Sequence, residues 1–218
     1  MWPFQRQKLS DVSLEVPLEE LRKRARIAVV DDDLNAFPLR VLVREGYAID
    51  YFPSVTQLDP FERGLYDIIF LDIAGVAPEW SEDDGLAVLE HLKERNPAQV
   101  IVAFSGQTFD LSKSRFWKLA DDTLSKPVDA MTAKRCIDDL LARTMTPNHY
   151  WGGVRALLLS EGVPEREIAS IESAVVRAVT RRTRPDVRGV VERVCANAET
   201  IAKVAALVAK IAGLLGPP

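Results

Sequence analysis

The chain has 218 residues, 47% hydrophobic and 28% charged, the balance of an ordinary globular protein rather than of a disordered or collagen-like one. With 28 Lys and Arg against 32 Asp and Glu the net charge is −4, which argues against a uniformly basic nucleic-acid binder. Only Cys136, Cys195, His91 and His149 represent their types, so a disulfide framework and a Cys/His zinc cluster are excluded, leaving carboxylates, hydroxyls and Lys for any chemistry.

Met1 to Lys8 contain no apolar run of leader length. The most apolar stretch, 200–216, is interrupted by Lys203 and Lys210, so no membrane insertion is expected. Sparse Cys fits a reducing compartment, and the expected location is the cytoplasm. Residues 1–25 read as an N-terminal extension, with a short helix after Pro17 that leads into the basic run Leu21–Arg26.

From Arg26 to Arg143, short apolar runs alternate with amphipathic ones. Strands are predicted at Ile27–Val30, Tyr47–Phe52, Ile68–Leu71, Val100–Phe104 and Thr123–Ser125. Helices are predicted at Asn35–Glu45, Val55–Arg63, Asp84–Arg95, Thr108–Leu119 and Asp129–Arg143. Several strands are continuously aliphatic or aromatic, as in parallel sheets covered on both faces. Five such units imply an α/β fold with a doubly wound, five-stranded parallel sheet, whose ligand lies at the carboxyl ends of the strands.

Charge divides the chain further. Up to Arg143 there are 18 basic and 25 acidic residues, net −7; beyond it, 10 and 7, net +3. The sign changes at 144–153, a stretch rich in turn formers that reads as a linker containing His149. Residues 144–218 then read as a small all-α module, with helices at Tyr150–Ser160 and Pro164–Arg182 and a long one from Arg184 onward. In that last helix Val187, Val190, Val194, Asn197, Ile201, Val204, Val208, Ile211 and Leu215 form a heptad seam with Asn197 as its polar member. The seam either packs on the preceding helix or forms a homodimer through the C-terminal helices. Arg177, Arg181, Arg182, Arg184 and Arg188 crowd the turn before it; no compact helix-turn-helix accompanies them.

The predicted strand ends carry the chemistry. The first ends in Asp31 and Asp32, the third in Asp72, the fourth in Ser105 and the fifth in Lys126 before Pro127. Three carboxylates at neighbouring strand ends repel unless a cation joins them, and hard oxygen ligands with open positions suit Mg²⁺. A carboxylate can also act as a nucleophile toward phosphorus, with Lys and a hydroxyl binding the remaining oxygens. The competing reading, in which the aspartates only cap helices, is weakened by Asp33 and Asn35, which offer caps of their own.

In this order, Asp31-Asp32, Asp72, Ser105-Gly106 and Lys126-Pro127, with Asp84-Gly85-Leu86 opening the third helix, the segment 26–143 resembles the receiver domain of bacterial two-component response regulators. The resemblance implies a flavodoxin-like fold. It implies that Asp72 accepts a phosphoryl group from a sensor histidine kinase or phosphotransfer protein. Asp32, Asp72 and the main-chain carbonyl of Ala74 would bind Mg²⁺, Asp31 would act through water, Lys126 and Ser105 would contact the phosphoryl oxygens, and Pro127 would follow a cis bond. The implied role is that of a phosphoacceptor that switches the helical module, not of a metabolic enzyme. The alternative is a DNA-binding regulator that uses the C-terminal Arg cluster.

Two features depart from the pattern. The segment after Asp72 is long and acidic, with Trp80 among Glu79, Glu82, Asp83 and Asp84. Thr123 stands where the family carries an aromatic switch residue.

Overall fold

The runs with the most continuous apolar character become the inner strands of a sheet. In the computed structural model these are β1 (Arg26–Val30), β3 (Ile68–Leu71) and β4 (Val100–Ser105), almost wholly buried. β2 (Ala48–Phe52) and β5 (Asp122–Ser125), exposed at Ala48, Asp50, Thr123 and Ser125, lie at the edges. All pairings are parallel and the order is β2-β1-β3-β4-β5, a doubly wound sheet of the flavodoxin-like order. The structure describes residues 7–12, 14–106 and 114–215.

The period-two alternation of strand side chains sorts the core into two layers. Ala28, Val30, Ile69, Leu71, Ile101 and Ala103 join one cluster with Val88, Leu89 and Phe116. On the other face Phe37 packs against Phe70 and Phe104, with ring centroids 4.9 and 5.4 Å apart.

Two prolines shorten the helices that follow. A Pro beyond the first turn removes a hydrogen bond and clashes with the carbonyl four residues back. The helix expected over Asn35–Glu45 is therefore α2 (Leu39–Arg44), starting after Pro38. The one expected over Val55–Arg63 is the single turn α3 (Asp59–Glu62), with Pro60 in its first turn. α4 spans Gly85–Arg95, α5 Ser114–Leu119 and α6 Ala130–Thr144. The start of the expected Thr108–Leu119 helix lies outside the described residues.

The chain divides into two compact units, Pro17–Arg143, and Met1–Val16 with Thr144–Pro218. The stretch 1–25 is thus shared between them. α1 (Leu18–Arg24) belongs to the sheet-bearing unit, where Arg22 grips Asp138 of α6 by two hydrogen bonds of 2.8 and 2.6 Å. Leu9 is fully buried in the helical unit, and its N–H donates to Glu172 at 3.0 Å.

The helical unit contains α7 (Pro147–Ser160), α8 (Glu165–Thr180), α9 (Arg188–Val194) and α10 (Ala198–Gly213). It corrects the sequence reading twice. The presumed linker is the first two turns of α7: Thr146 caps the helix by accepting from the His149 N–H, and Pro147 occupies the first turn, where its missing donor costs nothing. His149 is therefore a helical residue.

The long C-terminal helix is also two helices. Cys195 ends α9, and the Asn197 side chain starts α10 by accepting from the N–H groups of Glu199 and Thr200. Asn197 is a cap, not the polar member of a continuous seam. Val204, Val208 and Ile211 are buried within the unit, where α10 packs along α7. No helix among the described residues is long and apolar enough to cross a membrane.

Candidate functional site

The carboxyl ends of β1 and β3 adjoin, because Val30 pairs with Leu71, and each strand releases its carboxylates at that edge. Asp31 is fully buried, Asp72 nearly so, and Asp32 exposed. One oxygen from each lies within 4.8 Å of the others. None of the three caps a helix: Asp31 accepts from the Asp33 N–H at 2.9 Å, and α2 begins only after Pro38.

Lys126 enters from the end of β5. Its N–H donates to the Ser105 carbonyl at 3.1 Å, joining the ends of β4 and β5, and the Lys126–Pro127 bond is cis. The ammonium hydrogen-bonds to Asp72 Oδ2 at 2.6 Å and stands equally close to Asp31 Oδ2. The second contact is ionic without hydrogen-bond geometry, so Asp31 Oδ2 remains a buried oxygen with no directed donor. Ser105 is buried at the same edge. Ala74 is half-buried two residues past Asp72, its side chain against the core.

The electrostatics follow from burial. Desolvation pushes the Asp72 carboxyl above its ordinary range, although the Lys126 hydrogen bond and charge and the Ile73 N–H pull it down. Burial would lower the Lys126 ammonium, but the nearby Asp31 and Asp72 carboxylates outweigh that and raise it. One ammonium cannot neutralise three carboxylates. The directed-donor deficit at Asp31 and the all-oxygen set fit a small hard divalent cation such as Mg²⁺, with Asp31, Asp32 and Asp72 as the holders.

Two glycines make room for this arrangement. A Cβ on Gly75, whose φ is +80°, would stand 2.7 Å from Asp32 Oδ2. One on Gly85 would meet the backbone of Asp72 and Ile73.

Three residues outside the strand-end pattern order the chain around the site. Asp84, at φ 51°, accepts from the N–H groups of Gly75, Val76 and Ala77, gathering the chain just after Asp72. Asp followed by Gly at a helix start was the available signal, although it gives no hint of where the carboxylate reaches. Tyr51 at the end of β2 donates its hydroxyl to the Asp31 carbonyl, and burial with the nearby Asp31, Asp32 and Asp33 charges raises its phenol. Trp80, half-exposed in the long acidic loop, donates its indole N–H to the Val55 carbonyl at 2.6 Å.

No protein-family model and no curated protein matches the sequence. Solved structures do. The chain is similar to a CheY-like response regulator receiver domain from Methanospirillum hungatei, at 21% identity over 55% of this chain and 95% of that one, TM-score 0.47. It is similar to a two-component response regulator from Clostridium difficile, at 21% identity over 55% and 98%, TM-score 0.46. A third is the response regulator TrrA from Thermotoga maritima in complex with Mg²⁺ and BeF, at 28% identity over 53% and 98%, TM-score 0.44.

Proposed function

We propose that this chain is a response regulator of a phosphorelay, in which Asp72 is the phosphoacceptor. The observation that carries the reading is the cluster of Asp31, Asp32 and Asp72 with Lys126 Nζ 2.6 Å from both Asp31 and Asp72. A carboxylate oxygen of Asp72 attacks the phosphorus of a phosphohistidine on a sensor histidine kinase or phosphotransfer protein. The phosphorus–nitrogen bond breaks, its electron pair returns to the imidazole, and an aspartyl phosphate remains.

Mg²⁺, which Asp32, Asp72 and the Ala74 carbonyl would hold with Asp31 acting through water, would neutralise charge on the phosphoryl group. Lys126 leaves its carboxylate contact for the phosphoryl oxygens, and Ser105 hydrogen-bonds to the same group from the neighbouring strand. Hydrolysis of the aspartyl phosphate returns the carboxylate and inorganic phosphate, so in this reading the chain acts as a switch rather than a turnover enzyme.

The helical unit is the output. The seam that suggested a homodimer has Val204, Val208 and Ile211 buried within the unit, which favours another protein as the partner.

Acetyl phosphate with Mg²⁺ is expected to add one phosphoryl group, read by intact mass, and Asp72→Asn to abolish it. Labelling that survives the substitution would overturn the assignment. Light scattering with and without beryllofluoride addresses the output, since a doubled mass would restore the homodimer.

A further inference from the structure

The helical unit carries a feature that the phosphoryl chemistry does not use. An open groove of about 1020 Å³ runs between α10 and the turn that leads into α9. Its floor is mostly small side chains, Ala205, Ala209 and Ala212, with Val208 and Leu215 beside them, while Val204, Leu207 and Ile211 turn inward and are buried. From Val204 to Gly213 the only charged residue of α10 is Lys210, which stands over the Tyr150 ring at 5.7 Å. The C-terminal part of α10 thus presents a nearly uncharged surface, mostly alanine and glycine, to solvent.

The rim is different. Arg182, Arg184 and Arg188 line the groove on the side of the turn, with Asp186 the only acid between them. Arg188 pairs with Glu192 at 2.8 Å, whereas Arg182 and Arg184 have no carboxylate within ion-pair distance among the described residues. Arg182 is held at φ 54°, a conformation rarely adopted by residues with a side chain.

We propose that this groove docks an amphipathic helix of another protein, one with small or aliphatic residues on the inserted face and Glu or Asp along one flank. Small residues on the floor let a second helix approach closely, since interaxial distance is set by the side chains at the contact. Helix-in-groove recognition reads anchors three and four residues apart, the spacing of Ala205, Ala209 and Ala212. The unpaired arginines select the acidic flank. A second copy of this chain, presenting the same surface, fits less well, because that surface holds three arginines to one acid and supplies no acidic flank. Nucleic acid also fits less well, because the floor between the arginines and α10 is apolar and offers no further cations to phosphates.

The test uses the full chain and a fluorescein-labelled designed peptide of about 20 residues, long enough to hold a helix. It carries an Ala/Leu face and a Glu flank, and a control carries Lys on that flank; binding is read by anisotropy. The Glu peptide is expected to bind, and to bind on the order of tenfold more weakly at high salt, where the charges are screened. Arg182→Glu with Arg184→Glu is expected to weaken it at least about tenfold, as expected for like charges set face to face. Ala209→Trp, at an exposed position, is expected to block the groove, with circular dichroism checking the fold; the arginine variant, on an exposed turn, decides the matter if that protein unfolds. The proposal is overturned if the Glu peptide does not bind, if the Lys peptide binds equally well, or if a random DNA duplex displaces the Glu peptide. It is overturned equally by a doubled mass in light scattering that Ala209→Trp abolishes.

Discussion

A Cβ on Gly85 would stand 2.1 Å from the main-chain carbonyl oxygen of Asp72, a contact between two backbones that no rotamer change relieves. The first turn of α4 is therefore packed directly onto the main chain of Asp72 and Ile73. Gly85→Ala is expected to cost about 1–3 kcal/mol, the usual cost of overpacking, and to weaken Mg²⁺ binding because Asp72 must move. Thermal melting with and without Mg²⁺ measures both, and a variant that melts like the parent would remove the close approach from the account.

Among the described residues, Lys126 is the one cation between two buried carboxylates. Lys126→Met keeps the length of the side chain and leaves Asp31 and Asp72 facing each other without compensation. Breaking a buried pair in this way costs about 3–5 kcal/mol in the absence of metal. Millimolar Mg²⁺ is expected to recover part of the loss, since the ion replaces the missing charge. Urea unfolding in chelator and in Mg²⁺ gives the comparison; equal losses in both would argue that no cation binds there.

Asp138 makes a prediction about pH. Burial alone would raise its carboxyl, but hydrogen bonds from Arg22 and Tyr47 and the charges of Arg22 and Lys134 together hold it below the usual range. A carboxyl depressed in the folded state stabilises above its unfolded pKa of about 3.9, and that contribution disappears as pH falls through the lower folded value. At pH 7 Asp138→Asn is expected to be less stable by about 1–3 kcal/mol, as for the loss of a charged hydrogen-bond partner. The difference should shrink below about pH 4, where the aspartate itself is being protonated. A gap that stays constant from neutral to acid would mean the depressed carboxyl does not contribute.

Asn197 separates two readings of one residue. In a dimeric seam a single polar residue lowers stability, so an aliphatic replacement should raise it. As the cap of α10, bonded also to Glu161 at 2.8 Å, it should instead be needed. Asn197→Val is expected to lower the melting temperature, with a loss of about 1 kcal/mol for the cap alone. A rise in melting temperature would restore the continuous seam.

β1, β3 and β4 were visible in the sequence because burial on both faces leaves no polar interruption, and the strand-end residues followed from them. The heptad arithmetic ran undisturbed across Cys195, Ala196 and Asn197, because a short break can preserve apolar spacing while the helix axis changes. Thr146-Pro147 suits a turn and a helix start alike, because both uses depend on the same restricted backbone. Pro38 and Pro60 marked where helices had to begin, and the apolar pattern upstream of each obscured it. The roles of Asp84 and Tyr51 depend on where a folded loop and an edge strand deliver their oxygens, which no local pattern records.

The grip of Asp84 on Gly75, Val76 and Ala77 has one further consequence. It ties the acidic loop off at its base like a drawstring, so that Pro78 to Asp83 hang beyond the knot, with Trp80 tacked to Val55. Lengthening a closed loop costs only about 0.6 kcal/mol per doubling, and strain on this one ends at the knot rather than at Asp72. The loop can therefore change length and sequence independently of the chemistry beside it, provided Asp84 and Gly85 are kept.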